Sequence, residues 1–90
     1  MNNELKKSFE QINIFNREKI EIIGVVEILS STDKVVLAKL ENDFLQINGN
    51  ELSITKLIPE EKLLIISGKI LKCEYLTKLN KKTFLGKVFK

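Results

Sequence analysis

Short runs of alternating apolar and polar residues recur along the chain, and this period of two constrains the fold more than any other feature. In residues 51–57, ELSITKL, Leu52 and Ile54 fall on one side of an extended strand and Ser53 and Thr55 on the other. Comparable runs recur at spacings of roughly 8–12 residues, with Gly, Asn, Asp and Ser between them. The pattern predicts an all-β domain, an antiparallel sheet of about 7–8 short strands folded as a sandwich or half-barrel.

Turn-forming residues mark where the predicted strands end. Polar and charged clusters separate the apolar runs in four places, and we expect turns there: residues 16–19, 30–34, 41–43 and 60–62. The dipeptide Asn48-Gly49 is a strong signal for a further turn, because both residues tolerate a positive φ. These turns keep each predicted strand short.

Three glycines interrupt the apolar runs, at Gly24, Gly49 and Gly68. A glycine in or beside a strand usually marks a β-bulge, a bend or a close approach of two backbones, so we interpret all three as structural positions. Their separations of 25 and 19 residues are uneven, but they keep a solenoid-like stack as an alternative fold. Tyr75 is predicted to cap the core from an edge strand.

Charge divides the chain into a body and a tail. Residues 1–77 hold ten Lys or Arg and twelve Asp or Glu, whereas residues 78–90 hold five Lys and no acid. The net positive charge is therefore a property of the C-terminal end. We predict three segments: a flexible or short helical stretch at 1–11, a β domain at 12–77 and a basic amphipathic tail at 78–90.

Few residues could carry chemistry. The chain has no His and one Cys, so a Cys/His zinc site cannot form within it and the commonest general base is missing. Glu60 and Glu61 form the only adjacent acidic pair, but their loop after Pro59 predicts solvated carboxylates. Cys73 is predicted to be a half-buried strand residue. We therefore predict no catalytic residue, no metal site and no cofactor.

Membrane-spanning and secreted classes are disfavoured by the apolar pattern. No apolar run approaches the roughly 18 residues that a spanning helix needs. The N-terminal residues lack the apolar stretch of a secretory signal, and a single cysteine suits a reducing compartment. The sequence predicts a cytoplasmic protein.

The tail has the clearest functional pattern in the chain. On a helix, its apolar residues would group on one side with lysines around them, and these are the predicted contact residues: Phe84, Leu85, Val88 and Phe89, with Lys78, Lys81, Lys82, Lys87 and Lys90. Such a tail suits an anionic membrane surface or a groove on a partner protein, with packing on its own sheet or disorder as alternatives. A nucleic-acid-binding small barrel that uses the same lysines is the alternative function, although the acidic body argues against a nucleic-acid partner.

These motifs, taken in order, resemble the YabP family of sporulation proteins, which includes the YqfC-type members. The matching segments cover most of the chain: IEIIGVVEILS at 20–30, FLQINGNELSI at 44–54, LIISGKI at 64–70 with Tyr75, and FLGKVFK at 84–90. Each motif alone is weak, but their order and spacing together are fairly specific. The motifs do not separate YabP-type from YqfC-type members.

The resemblance implies a non-enzymatic role in building the spore envelope, its cortex or coat, within the mother cell. It further implies a protein partner, an integral membrane sporulation protein, and a peripheral position at the forespore membrane. A domain of this size gains core by self-association, so we also expect a homo-oligomer.

Overall fold

Six antiparallel strands form in the computed structural model of the protein, which describes residues 10–77. They are β1 (Gln11–Phe15), β2 (Lys19–Ile23), β3 (Glu27–Ser31), β4 (Val35–Lys39), β5 (Phe44–Ile58) and β6 (Leu63–Leu76). A 3-10 turn, Pro59–Glu61, joins β5 to β6. In the sheet the strands follow the order β1-β2-β6-β5-β4-β3. The prediction of an all-β antiparallel domain is confirmed, while the predicted tail and nearly all of the N-terminal segment lie outside the described residues.

The four turns predicted from polar clusters are present, and two of them show how the sequence makes a hairpin. In the three-residue connection between β1 and β2, Asn16 and Arg17 have φ angles of 54° and 55°, the left-handed conformation of the two central residues of a type I′ turn. Between β3 and β4, the Thr32 hydroxyl accepts hydrogen bonds from the N–H groups of Lys34 and Val35, at 3.1 and 3.0 Å. The first turn depends on backbone conformation and the second on a side chain.

Two strands, β5 and β6, are much longer than predicted. The prediction of a turn at Asn48-Gly49 is wrong, because β5 continues through both residues. Asn48 lies in the sheet between Val35 of β4 and Lys72 of β6. Gly68 likewise lies inside β6. One open sheet of six strands therefore forms, and the solenoid-like alternative does not.

The β5–β6 hairpin divides this sheet into two halves. The first half-sheet contains β1, β2, residues 63–67 of β6 and residues 53–58 of β5. The second half-sheet contains β3, β4, residues 44–48 of β5 and residues 72–76 of β6. In each half, a short hairpin pairs with the first part of one long strand.

Irregular pairing at the centre of the β5–β6 hairpin bends the sheet. The register shifts at three places: between Asn48 and Gly49, between Asn50 and Ser53, and between Ile54 and Lys56. Each shift is a β-bulge, in which an extra residue on one strand adds bend and twist. The extra residue is on β6 in the first shift and on β5 in the other two. The two half-sheets can therefore share one apolar face.

The hydrophobic core lies on this shared face. Paired residues from both halves are completely buried, including Ile20 with Ile66 in the first half and Val36 with Ile47 in the second. Burying a side chain of this size contributes about 1.5–3 kcal/mol. The buried residues form one cluster: Ile20, Ile22, Val25, Val36, Ala38, Leu40, Leu45, Ile47, Leu52, Leu64, Ile66 and Ile70.

Candidate interaction surface

The predicted contact residues of the tail all lie outside residues 10–77, so their role stays a prediction. This applies to the whole set: Lys78, Lys81, Lys82, Phe84, Leu85, Lys87, Val88, Phe89 and Lys90. The described residues do contain the last strand before the tail, which ends at Leu76. Any surface on that strand lies close in sequence to the predicted contact residues.

The candidates for chemistry are placed as follows. Glu60 and Glu61 lie in the 3-10 turn and are exposed. Cys73 is half-buried in β6, and this burial raises the pKa of its thiol. Among residues 10–77, no three His, Cys, Asp or Glu side chains are placed to hold a metal ion. The same residues contain no helix long and apolar enough to cross a membrane.

Gly49 and Gly68 allow the backbones of the two long strands to approach closely at the centre of the sheet. A Cβ atom at Gly49 would overlap the backbone carbonyl oxygen of Lys69. Gly68 has a φ of 131°, and a Cβ atom there would lie 2.5 Å from the carbonyl oxygen of Glu51. Both positions therefore require glycine, the first for close backbone approach and the second for conformation as well.

Gly24 begins the short link between the two half-sheets. The N–H groups of Gly24 and Val25 donate to the carbonyl oxygen of Lys62, at 2.8 and 3.1 Å. The N–H of Val26 donates to the carbonyl oxygen of Lys39 at 2.7 Å. These hydrogen bonds hold the link against the β5–β6 turn on one side and the end of β4 on the other.

Tyr75 lies on β6 opposite Leu45, which is buried in the core. Directly opposed residues of an antiparallel pair share a face, so Tyr75 is on the core face. The residue is nevertheless 53% exposed, and it flanks the core rather than covering it. Partial burial, followed by the nearby acidic groups of Glu10, Cys73 and Asp43, raises the pKa of the Tyr75 hydroxyl.

Within residues 10–77, β6 has no strand partner on one side from Leu71 to Leu76. Residues 63–67 pair with β2 on that side, and the β1–β2 turn continues the contact as far as Ile70. The N–H of Ile70 donates to the carbonyl oxygen of Arg17 at 2.8 Å. Beyond this point, β6 pairs with β5 alone. We name this unpaired side of residues 71–76 the β6 free edge.

A corresponding unpaired side exists on β5. Residues 44–48 pair with β4, and the N–H of Leu52 still donates to the carbonyl oxygen of Asp33 at 2.9 Å. From Ser53 to Ile58, the strand pairs with β6 alone among the described residues. We name this side of residues 53–58 the β5 free edge.

Large apolar side chains are exposed near the edges of the sheet: Ile14, Phe15, Val26, Leu57, Leu71 and Tyr75. Phe15 is partly covered by the ammonium group of Lys19, whose Nζ lies 5.1 Å from the ring centre. Leu71 is 57% exposed and belongs, with Tyr75, to the β6 free edge. Apolar surface beside unpaired backbone groups is typical of a protein interaction site.

Sequence analysis missed the β6 free edge, although the sequence contains a signal for the local geometry. The core-facing residues of the first part of β6 have even numbers: Leu64, Ile66 and Ile70. After Ile70, the core-facing residues have odd numbers: Cys73 and Tyr75. Since side chains alternate along a regular strand, this change of phase indicates an extra residue between Ile70 and Cys73. The signal locates the bulge, but it does not tell which side of the strand lacks a partner.

Comparison with known proteins gives one family. A model of the YabP family matches residues 6–82, far more than half of the chain. This range includes all six strands and every segment quoted for the resemblance except FLGKVFK at 84–90. A search of curated proteins found no match.

Proposed function

This chain belongs to the YabP family, and from this premise we propose that it is a non-enzymatic scaffold or adaptor in spore-envelope assembly. Membership of the family indicates a sporulation-related role. The observation that carries the proposal is the match over residues 6–82, because it includes the whole folded domain. The proposed partner is an integral membrane protein of the mother cell, bound at the forespore membrane.

The exposed edges of the sheet support a binding role. An extended segment of another protein can add to an unpaired strand through backbone hydrogen bonds, with side chains on alternate residues giving selectivity. Leu71 and Tyr75 present apolar surface beside such an edge. A small domain with exposed strand edges is suited to holding other proteins in place.

The tail supplies the proposed membrane contact. Its five lysines have no acidic neighbour in residues 78–90. Near an anionic bilayer, each Lys contributes up to about 1 kcal/mol of binding free energy. Because the chain's acids all precede residue 78, attraction to such a surface would be concentrated at this end.

Co-sedimentation of the full chain with lipid vesicles tests the membrane contact. We expect binding to anionic vesicles and weak binding to neutral ones. The double variant K81Q/K82Q should bind anionic vesicles at least about tenfold more weakly. The matched control, K56Q/K69Q, removes two exposed lysines from the body and should bind like the unaltered protein. Equal binding by both variants would contradict a tail-directed contact.

Deletion of the gene in its host tests the biological role. We expect the deletion strain to grow normally and to form fewer heat-resistant spores. In the undeleted host, we expect the protein to lie around the forespore. Unaltered spore yield and resistance would overturn the sporulation role. Complementation by the E60A/E61A and C73S variants tests the non-enzymatic assignment, since both should restore spores fully. Failure of either variant to do so, when it folds normally, would indicate chemistry at that position.

A further inference from the structure

Among the residues that the structure describes, the β6 free edge has backbone groups without a strand partner. In an antiparallel ladder, the N–H and C=O of one residue point to the same neighbouring strand, and successive residues alternate between neighbours. Gly49 donates its N–H toward the β3–β4 turn, so Ile47 and Leu45, two and four residues earlier, point away from β6. Their partners across the ladder, Cys73 and Tyr75, must then point away from β5. The N–H and C=O groups of these two residues therefore face the β6 free edge.

This edge is also more regular than two of the other edges. A register shift between Ile28 and Ser30 places a bulge in β3. The β5 free edge contains the bulge at Thr55. By contrast, the pairing of β6 with β5 runs without a shift from Lys72 to Leu76. A regular strand accepts a new neighbour more readily than a bulged one.

The charges on this edge are complementary to themselves. Lys72 and Glu74 lie on the same face of β6, with their charged groups 3.2 Å apart and their side chains 60% and 42% exposed. If two copies of the strand run antiparallel about Cys73, Lys72 of each copy lies opposite Glu74 of the other. Two cross-strand pairs of opposite charge then form, an arrangement that stabilises strand pairing.

We propose that two copies of this chain associate by antiparallel pairing of their β6 free edges about a twofold axis at Cys73. The pairing joins two six-stranded sheets into one continuous sheet. The inference concerns the edge itself and does not rest on the sporulation role.

The neighbouring turn limits the length of this ladder. Arg17 already accepts the N–H of Ile70, so the partner's strand cannot continue past Leu71. By symmetry, the ladder extends at most over residues 71–75 of each copy, with its regular part at residues 72–74. Such a short ladder predicts a reversible dimer that depends on protein concentration.

The twofold axis brings the two Cys73 residues opposite each other. Because their backbone groups face the partner, they form a hydrogen-bonded pair, whose Cα atoms lie about 5.5 Å apart. A short bismaleimide can bridge two thiols at this separation, and the chain has a single Cys, so any cross-link reports this contact. The reaction is run above neutral pH because burial disfavours the reactive thiolate.

Cross-linking of the full chain is the first test. We expect a covalent dimer linked through Cys73 at concentrations where sedimentation shows association. In the control variant C73S/S53C, the only thiol moves to the exposed β5 free edge, and the yield should fall at least about tenfold relative to the unaltered chain. Equal yields would show that the cross-links come from random collisions and would overturn the proposal.

Charge reversal is the second test. E74K places two lysines opposite each other in both cross-strand pairs and should weaken the dimer about tenfold in sedimentation equilibrium. The double variant K72E/E74K restores opposite charges and should restore association, while circular dichroism confirms that each variant is folded. Two outcomes would overturn the proposal: an unaltered chain that stays monomeric at high concentration, or an E74K dimer as strong as the original.

Discussion

The two long strands each leave one free edge, and the two edges differ in how they resist pairing. Both arise in the same way, because a short hairpin covers the first part of each long strand and leaves the rest. The β5 free edge has a bulge at Thr55, next to the charged Lys56, and the Thr55 hydroxyl donates to the carbonyl oxygen of Ile65 at 3.3 Å. The β6 free edge is regular from Lys72 to Leu76 and presents Tyr75.

The difference shows how one fold can block one edge and leave the other open. Bulges and lysines on an edge discourage pairing with another chain, because they distort the backbone and place charge where a neighbour would pack. The β5 free edge has both devices in its middle, whereas the bulge on β6 lies at the start of its free edge, at Leu71. The β6 free edge has an acidic and a basic residue that offset each other across a twofold axis, so its charge selects a second copy of the same strand.

The largest expected effect comes from disrupting the close contact between β5 and β6, the two strands that carry the free edges. Gly49→Val forces a side chain into the carbonyl group of Lys69 and should lower the free energy of unfolding by about 3 kcal/mol. Urea denaturation measures this loss. Ser53→Val, at an exposed strand position, serves as the control and should change stability by less than about 0.5 kcal/mol. Equal stability of the Gly49 variant would show that the long strands can separate at no cost.

The next largest effect is expected from placing a lysine on the β6 free edge, as Lys56 is placed on the β5 free edge. Tyr75→Lys places a charge where the partner strand packs and removes apolar surface, so it should weaken self-association at least about tenfold. Because Tyr75 is already 53% exposed, the unfolding free energy of the monomer should change little. Sedimentation equilibrium and dilute urea titrations separate the two quantities. If the variant loses monomer stability as much as it loses association, Tyr75 stabilises the monomer rather than the contact between two copies.

A smaller effect is expected on the β5 free edge. Thr55→Val keeps the shape of the side chain but removes its hydrogen bond to Ile65, and should cost about 0.5–1 kcal/mol of unfolding free energy. The bulge remains, so association should not increase. Thr55→Ser, which keeps the hydroxyl, is the control for urea denaturation. A Thr55→Val variant that associates more strongly would show that the hydroxyl protects this edge.

Sequence alone predicted the strand class, the polar turns and much of the inward-facing pattern, because period two survives along most of the chain between the bulges. It did not predict the length of β5, because Asn48-Gly49 matches a turn signal. In the structure, Gly49 meets a different need, the close approach of the Lys69 carbonyl. Residue type does not distinguish these two uses of glycine, since both depend on the absence of a Cβ atom.

The positions of the bulges can be predicted in part from the sequence. On β5, core-facing residues occur at Leu45, Ile47, Leu52 and Ile54, so the odd positions give way to even ones. This change of phase is the signature of an inserted residue, and it falls where the register shifts. The free edges were not readable, because pairing partners are set by contacts between segments far apart in sequence.

The smallest expected effect is a pH dependence centred on Cys73. Burial raises the pKa of its thiol, so between the ordinary value and the raised one the folded chain keeps a proton that the unfolded chain has lost. This contribution to stability is complete below the ordinary thiol pKa of about 8.5 and is lost as pH rises further.

The comparison between the unaltered chain and C73S isolates this contribution, because serine does not titrate in that range. Urea denaturation should show the stability difference between the two shifting against the unaltered chain as pH rises above about 9. The β5 free edge contains no thiol, so the C73S/S53C variant, whose cysteine is exposed, should resemble C73S. Pairing through the β6 free edge would remove Cys73 further from water and raise its pKa further, so self-association of the unaltered chain should weaken as pH rises above about 9. A stability difference that does not change with pH would contradict the burial of the thiol, and self-association that does not change with pH would contradict its place at the twofold axis.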